Sequence, residues 1–220
     1  ARVQQVRDLT AATLRLPVDA PTRAQLEDLH RYIGLLGGRE PLPAEPYLPA
    51  GPGTVGETVT EALRSFLTGD GLRGLELALA ASRAEARTDR GRELSTSADL
   101  WPPFIEQFVH GPDAAAELLT RAALLRADHG AAWMTAYHDF ISGGIAFAQG
   151  RFDDAAAIID GGLEQAAAAD LGWTSMTVGT RAMIDVFRGE YAAALTRLEG
   201  FADSGLPDQF GLPVPDHARI

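Results

Sequence analysis

The chain has 220 residues, 46% of them hydrophobic and 22% charged, which is ordinary for a globular protein with one sizeable core. It contains no cysteine and carries a formal net charge of −11, which excludes disulfides and thiolate metal sites and argues against this segment gripping nucleic acid. No apolar run approaches the roughly 20 residues of a membrane span, and the opening Ala1-Arg2-Val3-Gln4-Gln5-Val6 lacks the continuous apolar core of a signal peptide.

A reducing, cytoplasmic setting without membrane contact is therefore expected. The missing initiator Met and the end at Arg219-Ile220 read as a piece excised from a longer protein. Every basic residue other than histidine is Arg, a bias that reads as genomic rather than functional.

In residues 1–16, Val3, Val6, Leu9, Thr13 and Leu16 recur every three or four positions, predicting an amphipathic helix. A second helix follows Pro17 and Pro21, with Leu26, Leu29, Ile33 and Leu36 on one stripe, and stops at Gly37-Gly38. Pro41, Pro43, Pro46, Pro49 and Pro52 exclude helix from 39–53, which is either a linker or an ordered connection inside one domain.

Self-similarity begins at residue 54. An apolar stretch ending in glycine recurs at Phe66-Leu67-Thr68-Gly69, Phe108-Val109-His110-Gly111, Phe147-Ala148-Gln149-Gly150 and Val186-Phe187-Arg188-Gly189, so the glycines fall 42, 39 and 39 residues apart. Five residues past each stands a small residue, Gly74, Ala116, Ala155 and Ala194; seven before the last two stand Gly143 and Ala182. Small residues belong where two antiparallel helices come closest, and glycine where the chain reverses. The pattern predicts first helices near 54–68, 100–110, 131–149 and 172–188, each followed by a second near 71–87, 112–127, 152–169 and 191–203. Pro112 starts its helix. Pro102-Pro103 either start a shortened helix or kink it. Gly161-Gly162, inside a helix, call for close packing against the neighbouring repeat. The expected fold is all-α: an N-terminal helical hairpin (1–38), the Pro/Gly-rich linker (39–53), a helical-hairpin repeat solenoid of about four repeats of ~40 residues (54–205) and a tail (206–220).

The glycine, small-residue and aromatic spacing resembles tetratricopeptide repeats, most clearly over 136–203, where Gly143, Gly150 and Ala155, then Ala182, Gly189 and Ala194, match that family's small and turn positions. The departures are a period longer than that family's 34 residues, a missing closing proline, and polar Asp139 and Arg181 where apolar core residues are expected. Longer, Ala-rich repeats of this kind are similar to the sensor arrays of large LuxR-type, maltose-regulator-like bacterial transcriptional activators. That resemblance implies an ATPase module before the array and a helix-turn-helix domain after it; neither a P-loop nor a basic recognition helix occurs in this sequence.

In such a solenoid the first helices line a concave surface. That surface receives Trp101, Ile105, Phe108, Tyr137, Phe140, Phe147, Met176, Met183 and Val186, a set suited to an apolar small molecule or an amphipathic helix, or else simply the core between helices. The ligand- or partner-binding candidates are Trp101, Phe108, Tyr137, Phe140, Phe147, Met176 and Met183. Histidines 110, 129 and 138 with Asp128 and Asp139 lack metal-ligand spacing, and Asp153-Asp154 act at a helix start, so no metal and no cofactor are expected. Arg83, Arg87, Arg90 and Arg92 form a solvated helix end or a docking surface for an acidic domain, and Ser95, Thr96 and Ser97 read as helix-start chemistry. No catalytic constellation assembles, so no enzyme is expected.

The function expected is a regulatory module that senses a ligand or protein partner, without direct nucleic-acid contact. The alternative is a structural protein–protein scaffold or homodimerisation module whose groove is filled by its own segment.

Overall fold

Four glycines turn the backbone. Gly69, Gly111, Gly150 and Gly189 adopt φ of +98°, +103°, +76° and +79°, the left-handed region that costs a side chain dearly. The residue after the glycine then donates its N–H five residues back, from Asp70 to Ser65 O (2.8 Å), Arg151 to Ala146 O (2.9 Å) and Glu190 to Asp185 O (2.8 Å), closing the carbonyls at the helix end. Pro112 has no N–H to give. At that joint Gly111 itself donates to Glu106 O at 3.2 Å.

The structure, a computed structural model, describes residues 2–36, 54–87, 98–127, 135–168 and 175–203. The 39–53 segment, the 206–220 tail, Arg90, Arg92, Ser95, Thr96, Ser97, Asp128 and His129 lie outside the described residues. Those described are all-helical, without strands. A first hairpin, α1 (Arg2–Thr13) and α2 (Ala20–Leu36), precedes four others: α3 (Val55–Leu67) with α4 (Gly71–Arg87), α5 (Trp101–Val109) with α6 (Pro112–Ala127), α7 (Thr135–Ala148) with α8 (Phe152–Ala168), and α9 (Ser175–Phe187) with α10 (Tyr191–Asp203). Each helix packs on its neighbours in sequence. No helix among the described residues is long and apolar enough to cross a membrane.

Local chemistry sets the boundaries. Thr54 caps α3 reciprocally: its hydroxyl accepts from Glu57 N at 3.1 Å while its own N–H donates to Glu57 Oε2 at 2.9 Å. Pro102 and Pro103 occupy the first turn of α5, where missing N–H groups leave no bond unmade, so they start a nine-residue helix rather than kink a longer one. A single 3-10 turn, Ala98–Leu100, leads into it, held by Ala98 N donating to Glu85 Oε2 at 2.8 Å.

Glycines mark close approaches within two of the hairpins, α3 with α4 and α7 with α8. A Cβ on Gly74 would lie 2.9 Å from Ala62 O, and one on Gly143 only 2.3 Å from Ile159 Cγ1. Gly162 approaches α7 of its own hairpin, where a Cβ would lie 2.9 Å from Asp139 Cβ, rather than a neighbouring hairpin as the sequence suggests; Gly161 faces open space. The second joint is also shifted by one: Ala115, not Ala116, is the fully buried residue. Pro112 starts α6 one residue past its glycine, whereas α4, α8 and α10 start two past theirs, so each buried position moves back one.

In the first hairpin, Leu9 and Leu16 are exposed, contrary to the stripe read from the sequence, and Thr10 is the buried residue. Its hydroxyl donates to Arg7 O and lies 3.1 Å from His30 Nδ1 on α2, so a polar contact joins the two helices at this level. The core runs through the molecule as three clusters: one from α3 to α7, one joining α7, α8 and α9, and one between α9 and α10.

Candidate functional site

Aromatic side chains gather at the joints. Phe66, three residues before Gly69, packs against Phe108, three before Gly111, with ring centroids 5.3 Å apart, and both touch Phe104 at 5.7 Å. Phe104 also meets Trp101 edge-on at 5.8 Å and Phe140 at 6.4 Å. A second group closes at the other end of the chain: Phe147, Phe152 and Phe187 lie 5.3 to 5.7 Å from one another. Edge and tilted geometries of this kind satisfy ring quadrupoles as well as burying area.

One ring of each group reaches solvent. Phe108 is 63% exposed and Phe187 61%. Leu72 and Tyr191, which follow the first and last joints, are also exposed. Large apolar rings fixed on a packed cluster and left open on one side are ready contact surfaces for another apolar group.

The candidates from the sequence separate by burial. Trp101 and Phe140 are buried in the first core cluster, and Tyr137 is packed against it. Burial pushes the Tyr137 phenol well above its ordinary pKa, so it stays protonated. Phe147 is half-buried in the second cluster. Ile105 is fully buried, and Val186 packs on the third cluster. Phe108 and Met183 remain exposed. Met176 belongs to α9, but its side chain lies outside the described residues. Trp101, Phe108 and Phe140 do converge, around Phe104, whereas Phe147 belongs to the other group.

Periodicity alone missed Phe104, Phe152, Phe187 and Tyr191 as members of these surfaces. A usable signal was present: every joint glycine has an aromatic residue within three positions of it.

The titratable groups form a different centre. Asp185, fully buried on α9, accepts from Arg181 Nη1 on the same helix and from Arg197 Nε on α10 at 3.2 Å. Arg181 also donates to Asp160 Oδ1 on α8 at 2.9 Å. Burial opposes the Arg181 charge, but bonds to Asp160 and Asp185 outweigh it and raise its pKa above the ordinary guanidinium value. The polar Arg181 thus fits an interior position because its charge is matched there. Asp139 sits against Gly162 and accepts from Gln165 Nε2 at 3.2 Å. Asp154 pairs with Arg151 at 2.9 Å and Asp153 with Arg188 at 3.4 Å, contacts that fasten the joint. His110 pairs with Glu106 and His138 with Asp139, and Arg83 and Arg87 are exposed on α4. Among the described residues no three metal-ligating side chains converge.

The chain matches no family model, no curated protein and no solved structure. Among its described residues, buried charges bind helices together and exposed aromatics offer apolar contact.

Proposed function

We propose that this chain is a non-enzymatic regulatory interaction module, a tetratricopeptide-like helical solenoid that docks a partner through apolar contacts. The observation that carries this reading is the pair of joint-edge aromatic clusters, each presenting one ring, Phe108 or Phe187, to solvent. Four hairpins with left-handed glycine joints support the solenoid. The resemblance to LuxR-type sensor arrays supports a place beside DNA-binding and nucleotide-binding parts in a cytoplasmic bacterial regulator. With a net charge of −11, the surface favours a partner that is basic as well as apolar, such as an amphipathic helix carrying Lys or Arg.

The test is titration of a fluorescein-labelled amphipathic helix of leucine and lysine residues, followed by anisotropy. Phe108→Ala and Phe187→Ala are each expected to weaken binding about 5- to 10-fold, roughly 1 kcal/mol, measured at a temperature where thermal unfolding shows each variant still folded despite its lost ring contacts. Unchanged affinity in both variants would reject the reading.

Burial of Trp101 and Phe140 favours a second reading, a scaffold whose supposed groove is its own core. There Tyr137→Ala and Phe147→Ala lose stability and binding together, whereas a sensing groove loses binding first.

A further inference from the structure

Successive hairpins meet in one recurring way. The start of a second helix touches the end of the next first helix: a Cβ on Gly71 would lie 3.1 Å from Val109 Cγ2, Gln149 Nε2 donates to Asp113 Oδ1 at 2.7 Å, and Phe152 packs on Phe187 at 5.6 Å. An ion pair between Arg188 and Asp153 at 3.4 Å reinforces the last of these. Start meets end, so the two helices lie antiparallel. Gly71, Asp113 and Phe152 each stand two past a joint glycine, and the same position in α10 is Tyr191. Among the described residues no first helix follows α10, and no second helix precedes α1. Both of these outer helices expose apolar side chains. Tyr191 and Leu195, one turn apart on α10, are 64% and 51% exposed. Leu9 on α1 and Leu16 in the turn that closes it are 66% and 57% exposed. Each end lacks what the other offers: α10 a following first helix, α1 a preceding second helix.

We propose that copies of this chain associate head to tail, α1 of one copy lying antiparallel on α10 of the next as the inner first helices lie on the second helices before them. That packing sets the end of α1 on the start of α10, so Leu16 of one copy rests on Tyr191 of the other. Leu195 lies about 6 Å along α10 from Tyr191, and Leu9 about 10 Å back from Leu16, at about 1.5 Å of rise per residue. Leu195 therefore enters the gap between Leu16 and Leu9, the side chain of one helix filling the groove of its neighbour. Charge selects this pairing over that of two identical ends. Residues 2–16 hold three arginines and one aspartate, whereas residues 190–203 hold three carboxylates and one arginine. Head meets tail with opposite signs; two α10 ends or two α1 ends meet with like signs, which repel. Arg15 beside Leu16 and Glu190 beside Tyr191 bring opposite charges to the contact itself. Because the contact joins unlike surfaces, every added copy leaves one of each end free, and assemblies grow past the dimer unless the rotation closes a ring.

Sedimentation velocity of the full chain, from micromolar to millimolar concentration, is expected to show mass rising beyond the dimer. Leu16→Glu and Leu195→Glu each put a charge into the apolar contact, and each variant alone is expected to sediment as a monomer, its self-dissociation constant raised about tenfold or more. Mixed together, the two form a one-to-one complex that grows no further, because α1 of the Leu195→Glu chain still fits α10 of the Leu16→Glu chain. This recovery by mixing also shows both variants folded; Leu16→Ser and Leu195→Ser replace them if circular dichroism shows lost helicity. A parent chain that stays monomeric throughout overturns the proposal, as does a mixture that stays monomeric. Undiminished self-association of Leu16→Glu overturns it too, giving the α10 face to a symmetric pair. The chain has no cysteine, so Leu16→Cys in one copy and Tyr191→Cys in another report the contact without background. Their mixed disulfide is expected to form faster than either variant's disulfide with itself, and equal rates overturn the pairing. Mass and cross-linking are read at α1 and α10, so this failure is distinct from failure of peptide binding at Phe108 and Phe187.

Discussion

Gly150 sits at φ +76°, where a Cβ crowds the following carbonyl oxygen, and nothing lies within 4 Å of the atom it would carry. Gly150→Ala is therefore expected to cost the backbone strain alone, about 1–2 kcal/mol. Gly143 has ordinary helical backbone, but a Cβ there would stand 2.3 Å from Ile159 Cγ1 and 2.9 Å from Ile159 Cδ1. Gly143→Ala forces α7 and α8 apart or Ile159 off its rotamer, an overpacking cost of about 1–3 kcal/mol. Truncating the obstacle separates the mechanisms: in urea unfolding, Ile159→Ala, which removes both Cγ1 and Cδ1, should make the added Gly143→Ala loss smaller than in the parent chain and leave the Gly150→Ala loss unchanged. Equal relief would refute this division. Both positions were legible as small residues in the sequence, since glycine spacing is a one-dimensional pattern. Which atom each glycine faces was not. Arg181 is the converse case: its charge in a core position looked like a misfit until Asp160 and Asp185 appeared from α8 and α9.

Helix boundaries follow from chemistry close in sequence. Asp19 receives the Thr22 N–H on Oδ1 and the Thr22 hydroxyl on Oδ2, both at 2.9 Å, at the start of α2. The bond from the Thr22 backbone, then that from its side chain, holds the Asp19 carboxyl below the ordinary carboxylate range. A native pKa below the unfolded one means that the unfolded chain takes up the proton first as pH falls. The contribution of Asp19 is thus fully present above the ordinary carboxylate range and lost as pH drops through the native value. By NMR, the Thr22 amide shift is expected to titrate below the range of a free aspartate, and Asp19→Asn should abolish that transition. A midpoint at the ordinary value would sink the idea. Cap residues, proline positions and joint glycines placed most boundaries within a few residues. Exceptions arose where tertiary contact set the phase, as in α1, where Thr10 rather than Leu9 faces His30.

Across the molecule, the separate core clusters suggest that stability is regional. Asp185 is fully buried and ties α9 to α10 through Arg197, while Arg181 carries the network on to α8. Asp185→Ala leaves two guanidinium groups short of an acceptor, one of them buried, and is expected to cost about 3–5 kcal/mol. Hydrogen exchange should show protection falling in α8, α9 and α10 while α3 and α4, held by the first cluster, keep theirs. Loss spread equally to α3 would make the chain one cooperative unit. The sequence by itself determined the helical class, the hairpin spacing and the joints, because helix periodicity, left-handed glycine and proline constraints act within a few residues. It left open whether its apolar stripes were core or contact surface, because both uses select the same side chains. Only the tertiary structure decided that Trp101 and Phe140 are enclosed while Phe108, Phe187, Tyr191 and Leu195 face solvent, since exposure depends on what the neighbouring helices cover.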